Sequence, residues 1–129
     1  MTARQAVIDA LTAQVGPGLP LDGVRVIGYA RTIDPPTTPT VLVRVDTVTP
    51  GGPLRQAWRT YGFALVLIPP TTEAGTADDE LDAFLEDVLH AVEQAPDLTW
   101  TRAQRGTYQD TTYPAYEVTL DVPFTKETP

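Results

Sequence analysis

The run from Arg55 to Ile68 constrains this chain more than any other segment. Tyr61, Phe63, Leu65 and Leu67 fall on one face of an extended segment. Trp58, Ala64, Val66 and Ile68 fall on the other, with Gly62 between them. Side chains alternate faces along a strand, so a run apolar on both faces must be buried on both. That predicts a central strand covered on two sides. Pro69 and Pro70 end it, because proline cannot donate to the ladder. Just upstream, Thr40 to Thr49 predicts a partner strand. Val41, Val43 and Val45 face one way; Leu42, Arg44 and Asp46 face the other. Between the two strands, Pro50-Gly51-Gly52-Pro53 is turn chemistry. The two strands therefore make a long β-hairpin with its tip near Gly51 and Gly52.

The flanking segments add two helices and three more strands. Thr2 followed by Gln5 fits a capping box. Ala6, Val7, Ala10, Leu11 and Val15 then share one face at helical spacing, and Gly16 and Pro17 stop the helix. A Gly/Pro loop runs from Gly16 to Gly23. Val24 to Thr32 predicts a first strand, broken by Asp34-Pro35-Pro36-Thr37-Thr38-Pro39, whose prolines favour a stiff, extended connection. Beyond the hairpin, Thr71 to Ala77 reads as a polar loop. Asp78 to Ala95 reads as a helix with the apolar stripe Leu81, Phe84, Leu85, Val88, Leu89 and Val92. Asp78, Asp79 and Glu80 would occupy its first turn, at the positive end of the macrodipole, and Pro96 would end it. Leu98 to Tyr108 predicts a strand, Gly106 to Pro114 a Thr/Tyr-rich loop, and Ala115 to Phe124 a final strand. In that strand Tyr116, Val118, Leu120, Val122 and Phe124 alternate with Glu117, Thr119 and Asp121. Thr125 to Pro129 reads as a loose polar tail. The order is α-β-β-β-α-β-β. It predicts one α+β domain over residues 1–129, a largely antiparallel sheet of about five strands with two helices packed on it.

The chemistry available to such a domain is thin. The chain has no Cys, Ser or Asn, and its only His and Lys are His90 and Lys126. Covalent and acid–base catalysis draw mostly on Ser, Cys, His and Lys, so the expectation is a protein that is no enzyme and acts by shape and contact. Without Cys there is no disulfide or thiolate metal site, which fits a reducing compartment. A net charge of −8 repels nucleic acid, disfavouring sequence-specific binding. Met1 is followed by a mixed polar stretch, so no signal peptide is expected. The longest apolar run, Phe63 to Ile68, is too short to span a bilayer.

Each polar cluster has a plain reading. His90 is rotated away from the apolar stripe and has no second ligand at metal spacing, so it reads as a surface residue. Asp78, Asp79, Glu80, Asp82, Glu86 and Asp87 read as helix N-terminal charge followed by a solvated face, because a helix lacks the alternating oxygens of a Ca²⁺ loop. Gly16-Pro17-Gly18 and Gly51-Gly52 lack the Lys-Ser/Thr ending of a phosphate loop. Trp58, Trp100, Tyr108, Tyr113 and Tyr116 read as packing or subunit contact, since a base-stacking platform comes with a basic groove. No catalytic, metal or cofactor residue emerges. Two readings stay open for the hairpin tip, Thr47 to Gln56. It is a bare turn, or it is an arm that reaches a neighbouring subunit through Pro50, Gly51, Gly52, Pro53, Leu54 and Arg55. Pro35 and Pro36 invite the same pair of readings, because stiff prolines reduce the entropy lost on binding.

The whole layout resembles a known family. The resemblance rests on the N-terminal helix, Arg25-Val-Ile-Gly-Tyr-Ala-Arg-Thr-Ile-Asp, Thr40-Val-Leu-Val-Arg-Val and Gly62-Phe-Ala-Leu-Val-Leu-Ile. The acidic helix and Ala115-Tyr-Glu-Val-Thr-Leu-Asp-Val-Pro-Phe complete it. In pattern and length, over nearly the whole chain, these are similar to the tail terminators of actinobacterial siphophages, the lambda-type tail-completion proteins. The preference for Arg over Lys and the abundance of Ala, Val, Thr, Pro, Gly and Asp fit a GC-rich coding sequence of that origin. The resemblance implies a virion protein assembled in the host cytoplasm. It would form a ring, typically hexameric, on the head-proximal end of the tail tube. Its partners would be further copies of itself, the tail tube protein and the head–tail connectors. DNA would pass through its lumen, and an acidic lining would let it slide. No catalytic residue or cofactor comes with the family, and no membrane is implied.

Head–tail connector proteins of similar size share much of this plan, and a monomeric or dimeric module that binds a ligand or peptide at a sheet edge is the non-viral alternative. A carboxylate hydrolase is disfavoured. Glu117 and Asp121 share a strand face, but four residues separate them by about 13 Å, against the roughly 5–10 Å of a glycosidase pair.

Overall fold

The fold was described from a computed structural model covering residues 2–29, 37–50, 58–70, 74–95, 98–108 and 113–125. The elements are α1 (Ala3–Thr12), β1 (Arg25–Gly28), β2 (Thr40–Pro50), β3 (Trp58–Ile68), α2 (Ala74–Gln94), β4 (Thr99–Tyr108) and β5 (Tyr113–Thr125). The five strands form one sheet in the order β1-β2-β3-β5-β4. The fold is α+β, with the expected element order and β3 at the centre. Its one parallel pair is β1 with β2, in the register Arg25↔Thr40 to Gly28↔Val43. All other neighbours are antiparallel.

The central strand is buried as its sequence requires. From Gly62 to Ile68 every β3 residue is buried. Phe63, Leu65 and Leu67 face the main core, with Val41 and Val43 of β2 and Val118, Leu120 and Val122 of β5. Both helices cover this face: α1 contributes Ala3, Val7 and Leu11, and α2 contributes Leu81, Phe84, Val88, Ala91 and Val92. The opposite face carries a smaller cluster of Leu42, Val66, Ile68, Tyr108 and Ala115, with Ile27 and Tyr29 packed against it. Truncating a buried side chain such as Phe63 or Leu65 to Ala costs roughly 2–5 kcal/mol.

The helix ends differ from the sequence expectation for local reasons. Thr2 caps α1, its hydroxyl accepting the Gln5 N–H at 3.1 Å. The reciprocal half of the capping box is missing, because the Gln5 amide donates to Asp9 Oδ1 at 2.8 Å one turn ahead. α1 stops at Thr12, before Val15 and Gly16. The chain tightens there through Gln14 N–H to Leu11 O (2.9 Å) and Val15 N–H to Thr12 O (3.0 Å). Val15 still packs on the core from outside the helix. α2 begins at Ala74, a turn earlier than the acidic signal marked, and holds no acidic residue in its first turn. Asp78, Asp79 and Glu80 therefore sit beyond the reach of the helix terminus, since the dipole effect fades within that turn. α2 ends at Gln94, and Pro96 lies outside the described residues.

Strand limits shift in the same way. β1 is four residues long, and the expected continuation to Thr32 passes outside the described residues. The stretch Gly106 to Tyr108, expected as loop, is strand, paired with Ala115, Pro114 and Tyr113. The β2–β3 hairpin runs in register from Thr40↔Ile68 to Val45↔Phe63 and, after a bulge, from Thr47↔Gly62 to Pro50↔Arg59. Directly across the bulge, the Thr47 hydroxyl occupies the space beside Gly62. A Cβ on Gly62 would overlap Thr47 Oγ1 while standing an ordinary 3.6 Å from Thr47 Cβ. Gly62→Ala is expected to destabilise the fold by about 1 kcal/mol, because the exposed Thr47 hydroxyl must leave its rotamer to make room. Thr47→Ala in the same chain should recover most of that loss. Urea unfolding of the two single variants and the double variant measures the coupling; additive losses would contradict the contact.

Candidate functional site

The sheet is not evenly covered. β1 pairs only with Thr40–Val43, and β4 pairs with β5 only from Tyr113 to Asp121. Beyond those limits β2, β3 and β5 continue together as a three-stranded extension. Val45 to Pro50 of β2 is exposed throughout this stretch. Its edge has no partner strand among the described residues.

On the helix-side face of the extension the side chains are mostly apolar, with Arg59 the charged residue among them, in phase with Tyr61 and Phe63. Val45 is paired with Phe63, and Val48 with Tyr61. Val45 is 38% exposed and Val48 49%, among the most exposed large hydrophobic residues described. The Tyr61 ring stacks on Phe63 with centroids 6.1 Å apart and meets Phe124 edge-on at 5.9 Å. Such aromatic pairs favour offset or T-shaped geometry and hold the rings in place. The result is a rigid apolar surface where the core face runs out from under the helices. Val45 was expected on the core face, and it lies there, but past the end of the helical cover.

The other face is polar and ordered around Arg44. Its Nε donates to Asp46 Oδ1 at 2.7 Å, and its Nη2 donates to Glu117 Oε1 at 3.0 Å and to Asp46 Oδ2 at 3.3 Å. The bond to Asp46, above all, holds the guanidinium pKa further above its ordinary value, opposed by partial burial and aided by Glu117. Its folded pKa is raised, so any stability from its charge is complete below the ordinary arginine range and constant through neutral pH. The same guanidinium lies 5.3 Å from the centroid of Tyr29, whose ring meets Tyr108 edge-on at 6.1 Å. Tyr29, Arg44, Val66, Thr107, Tyr108 and Glu117 line a shallow concavity of 230 Å³. One guanidinium faces two carboxylates there, so it offers no free cation.

α2 is tied to the β4 side of the sheet at both ends. Arg105 donates to Asp78 and lies 5.6 Å over the Tyr116 ring. The Tyr116 hydroxyl donates to Asp82 Oδ1 at 3.2 Å, and the Trp100 indole donates to Glu93 Oε2 at 3.3 Å. The hydrogen bond to Asp78 raises the pKa of Arg105. Asp79, Glu86, Asp87 and His90 remain exposed on the outer face of the helix. Among the described residues no group of three His, Asp or Glu side chains could hold a metal ion.

Of the residues singled out for contact, Pro50 is described: it is exposed and pairs with Arg59 at the end of the hairpin ladder. Gly51, Gly52, Pro53, Leu54 and Arg55 at the tip, and Pro35 and Pro36, lie outside the described residues. The Arg44–Asp46–Glu117 cluster had a signal in the sequence, because Arg44 and Asp46 are two apart on one strand face. Their link to Glu117 needed the strand order. No family model matches this chain, and no curated protein matches it.

Arg44→Met keeps most of the stem packing but removes both ion pairs and the contact with Tyr29. Arg44 is about a third exposed, so solvent screens the pairs. The expected cost is about 1 kcal/mol, shrinking as salt is raised from 0.05 to about 0.5 M. Thermal or urea unfolding at the two salt concentrations measures it; a salt-independent loss would show that packing alone is at stake.

Proposed function

We propose that this chain is a structural virion protein that forms a ring on the head-proximal end of a phage tail tube, as a tail terminator. The observation that carries this reading is the three-stranded extension, with a β2 edge that has no partner strand among the described residues and the exposed apolar surface of Val45 and Val48. An isolated exposed apolar residue is ordinary, but an apolar face continuous with the core and bordered by a free sheet edge is a contact surface. Main-chain hydrogen bonds at such an edge give affinity, and closed cyclic symmetry buries every edge and prevents open-ended growth. The outer edge of β4, which likewise has no partner strand among the described residues, lies at the opposite side of the sheet. Two different edges on one subunit suit a head-to-tail arrangement, the kind that closes into rings.

The acidic helix fits the same reading. Asp79 and Glu86 form a solvated negative strip, and a lumen carrying such strips would repel phosphates and let DNA slide. A head–tail connector would use the same features with another neighbour. Co-purification with tail tubes supports a terminator, and co-purification with portal assemblies supports a connector.

Light scattering behind a sizing column, over a wide concentration range, is expected to give a discrete ring mass, alone or after addition of tail tubes. Val48→Asp should lower the association constant by about tenfold or more. It should leave the stability of the monomer within about 0.5 kcal/mol, because the site is half exposed. A chain that stays monomeric at every concentration, with and without tubes, would overturn the ring.

A further inference from the structure

The root of the hairpin, opposite its tip, carries a cleft. It is walled by Val24, Phe84 and three prolines, Pro39, Pro69 and Pro70, and encloses 330 Å³. Three carboxylates also line it: Asp22 before β1, and Glu80 and Asp87 two turns apart on α2. Glu80 is only partly buried, yet its Oε2 is buried and has no hydrogen-bond partner. A buried carboxylate oxygen without a donor is costly, and native folds seldom leave one so. Among the described residues none of the three carboxylates forms an ion pair. An apolar slot ending in unpaired carboxylates matches one kind of occupant, a side chain with an apolar stem and a cationic head beside another apolar group.

The chain itself carries that chemistry at the hairpin tip, where Leu54 is followed by Arg55. It cannot deliver it to its own cleft. The cleft adjoins Pro39 and Pro69, at the start of β2 and the end of β3, while the tip follows Pro50. The eleven residues of β2 separate them, roughly 35 Å at about 3.3 Å per residue. A second copy has no such restriction.

We propose that the cleft receives Leu54 and Arg55 of a neighbouring copy, Leu54 against the prolines and Phe84, and Arg55 paired with Glu80 and Asp87. The proposal rests on the ring reading and specifies one of its contacts. Tip and root are different surfaces, so the contact is heterologous and each subunit both gives an arm and takes one. A bidentate guanidinium would satisfy the orphaned Glu80 oxygen, which a Lys head does less well.

The test is sedimentation equilibrium on the full chain. Arg55→Glu and Asp87→Lys should each weaken self-association about tenfold or more, and the two together should recover it. Circular dichroism checks that each variant is folded. Because the chain has no cysteine, a second measurement is clean. Arg55→Cys in one copy and Ala83→Cys in another should cross-link between copies on oxidation, about tenfold faster than Arg55→Cys with Arg4→Cys on α1. If the wild type assembles while Arg55→Glu assembles equally well and the Ala83 pair links no faster than the control, the arm-in-cleft contact is overturned and the ring survives. If the wild type is monomeric throughout, with and without tubes, both fall. Weakening by the single variants without recovery in the pair would place Arg55 at some other surface and also overturn the contact.

Discussion

β3 is hydrogen-bonded on both edges, to β2 and to β5, along nearly its whole length. It is also apolar on both faces through its second half. Every other element is arranged around those two demands. The helices satisfy one face, and Leu42, Val66, Ile68 and their neighbours satisfy the other. The two antiparallel neighbours are reached through the hairpin and through α2. Each layer of cover is shorter than β3 itself. The uncovered remainder is what the protein presents to its surroundings.

The same arrangement explains which parts could be read in the sequence. The period-2 patterns of β2, β3 and β5 settle their faces without knowledge of the fold, and Tyr61, Phe63, Leu65 and Leu67 lie where their alternation places them. Strand order was not legible. That β5 lies between β3 and β4, and that β1 runs parallel to β2, depends on how long-range pairing closes the sheet. Local signals misplaced α2 because acidic residues mark a helix start only on average. Here Asp78 is spent on Arg105 and Asp82 on Tyr116, while the helix begins a turn earlier.

The candidate surfaces follow the same division. Contact residues at a Gly/Pro turn were suggested by composition alone. The Arg44 cluster and the proline-walled cleft needed three dimensions, since their members come from separate elements. A partial signal existed for the cleft. Glu80, Ala83, Phe84 and Asp87 follow the i, i+3, i+4, i+7 spacing of one helix face. That face mixes two carboxylates with Phe84, and only the prolines brought against it by the sheet make it concave.

The bulge in β2 has a geometric effect along the hairpin. Val45 and Val48 are three residues apart, an odd spacing that would ordinarily send their side chains to opposite faces. They share a face because the bulge absorbs Asp46, and the strand resumes with its alternation shifted by one. The bulge thus acts as a phase shifter. Everything on β2 beyond it, and the orientation with which the chain enters the tip, takes its phase from that one unpaired residue. Straightening the strand with Asp46 retained would turn Val48 to the face of Arg44, whereas deleting Asp46 would remove the bulge and keep Val48 beside Val45 in an unbroken alternation.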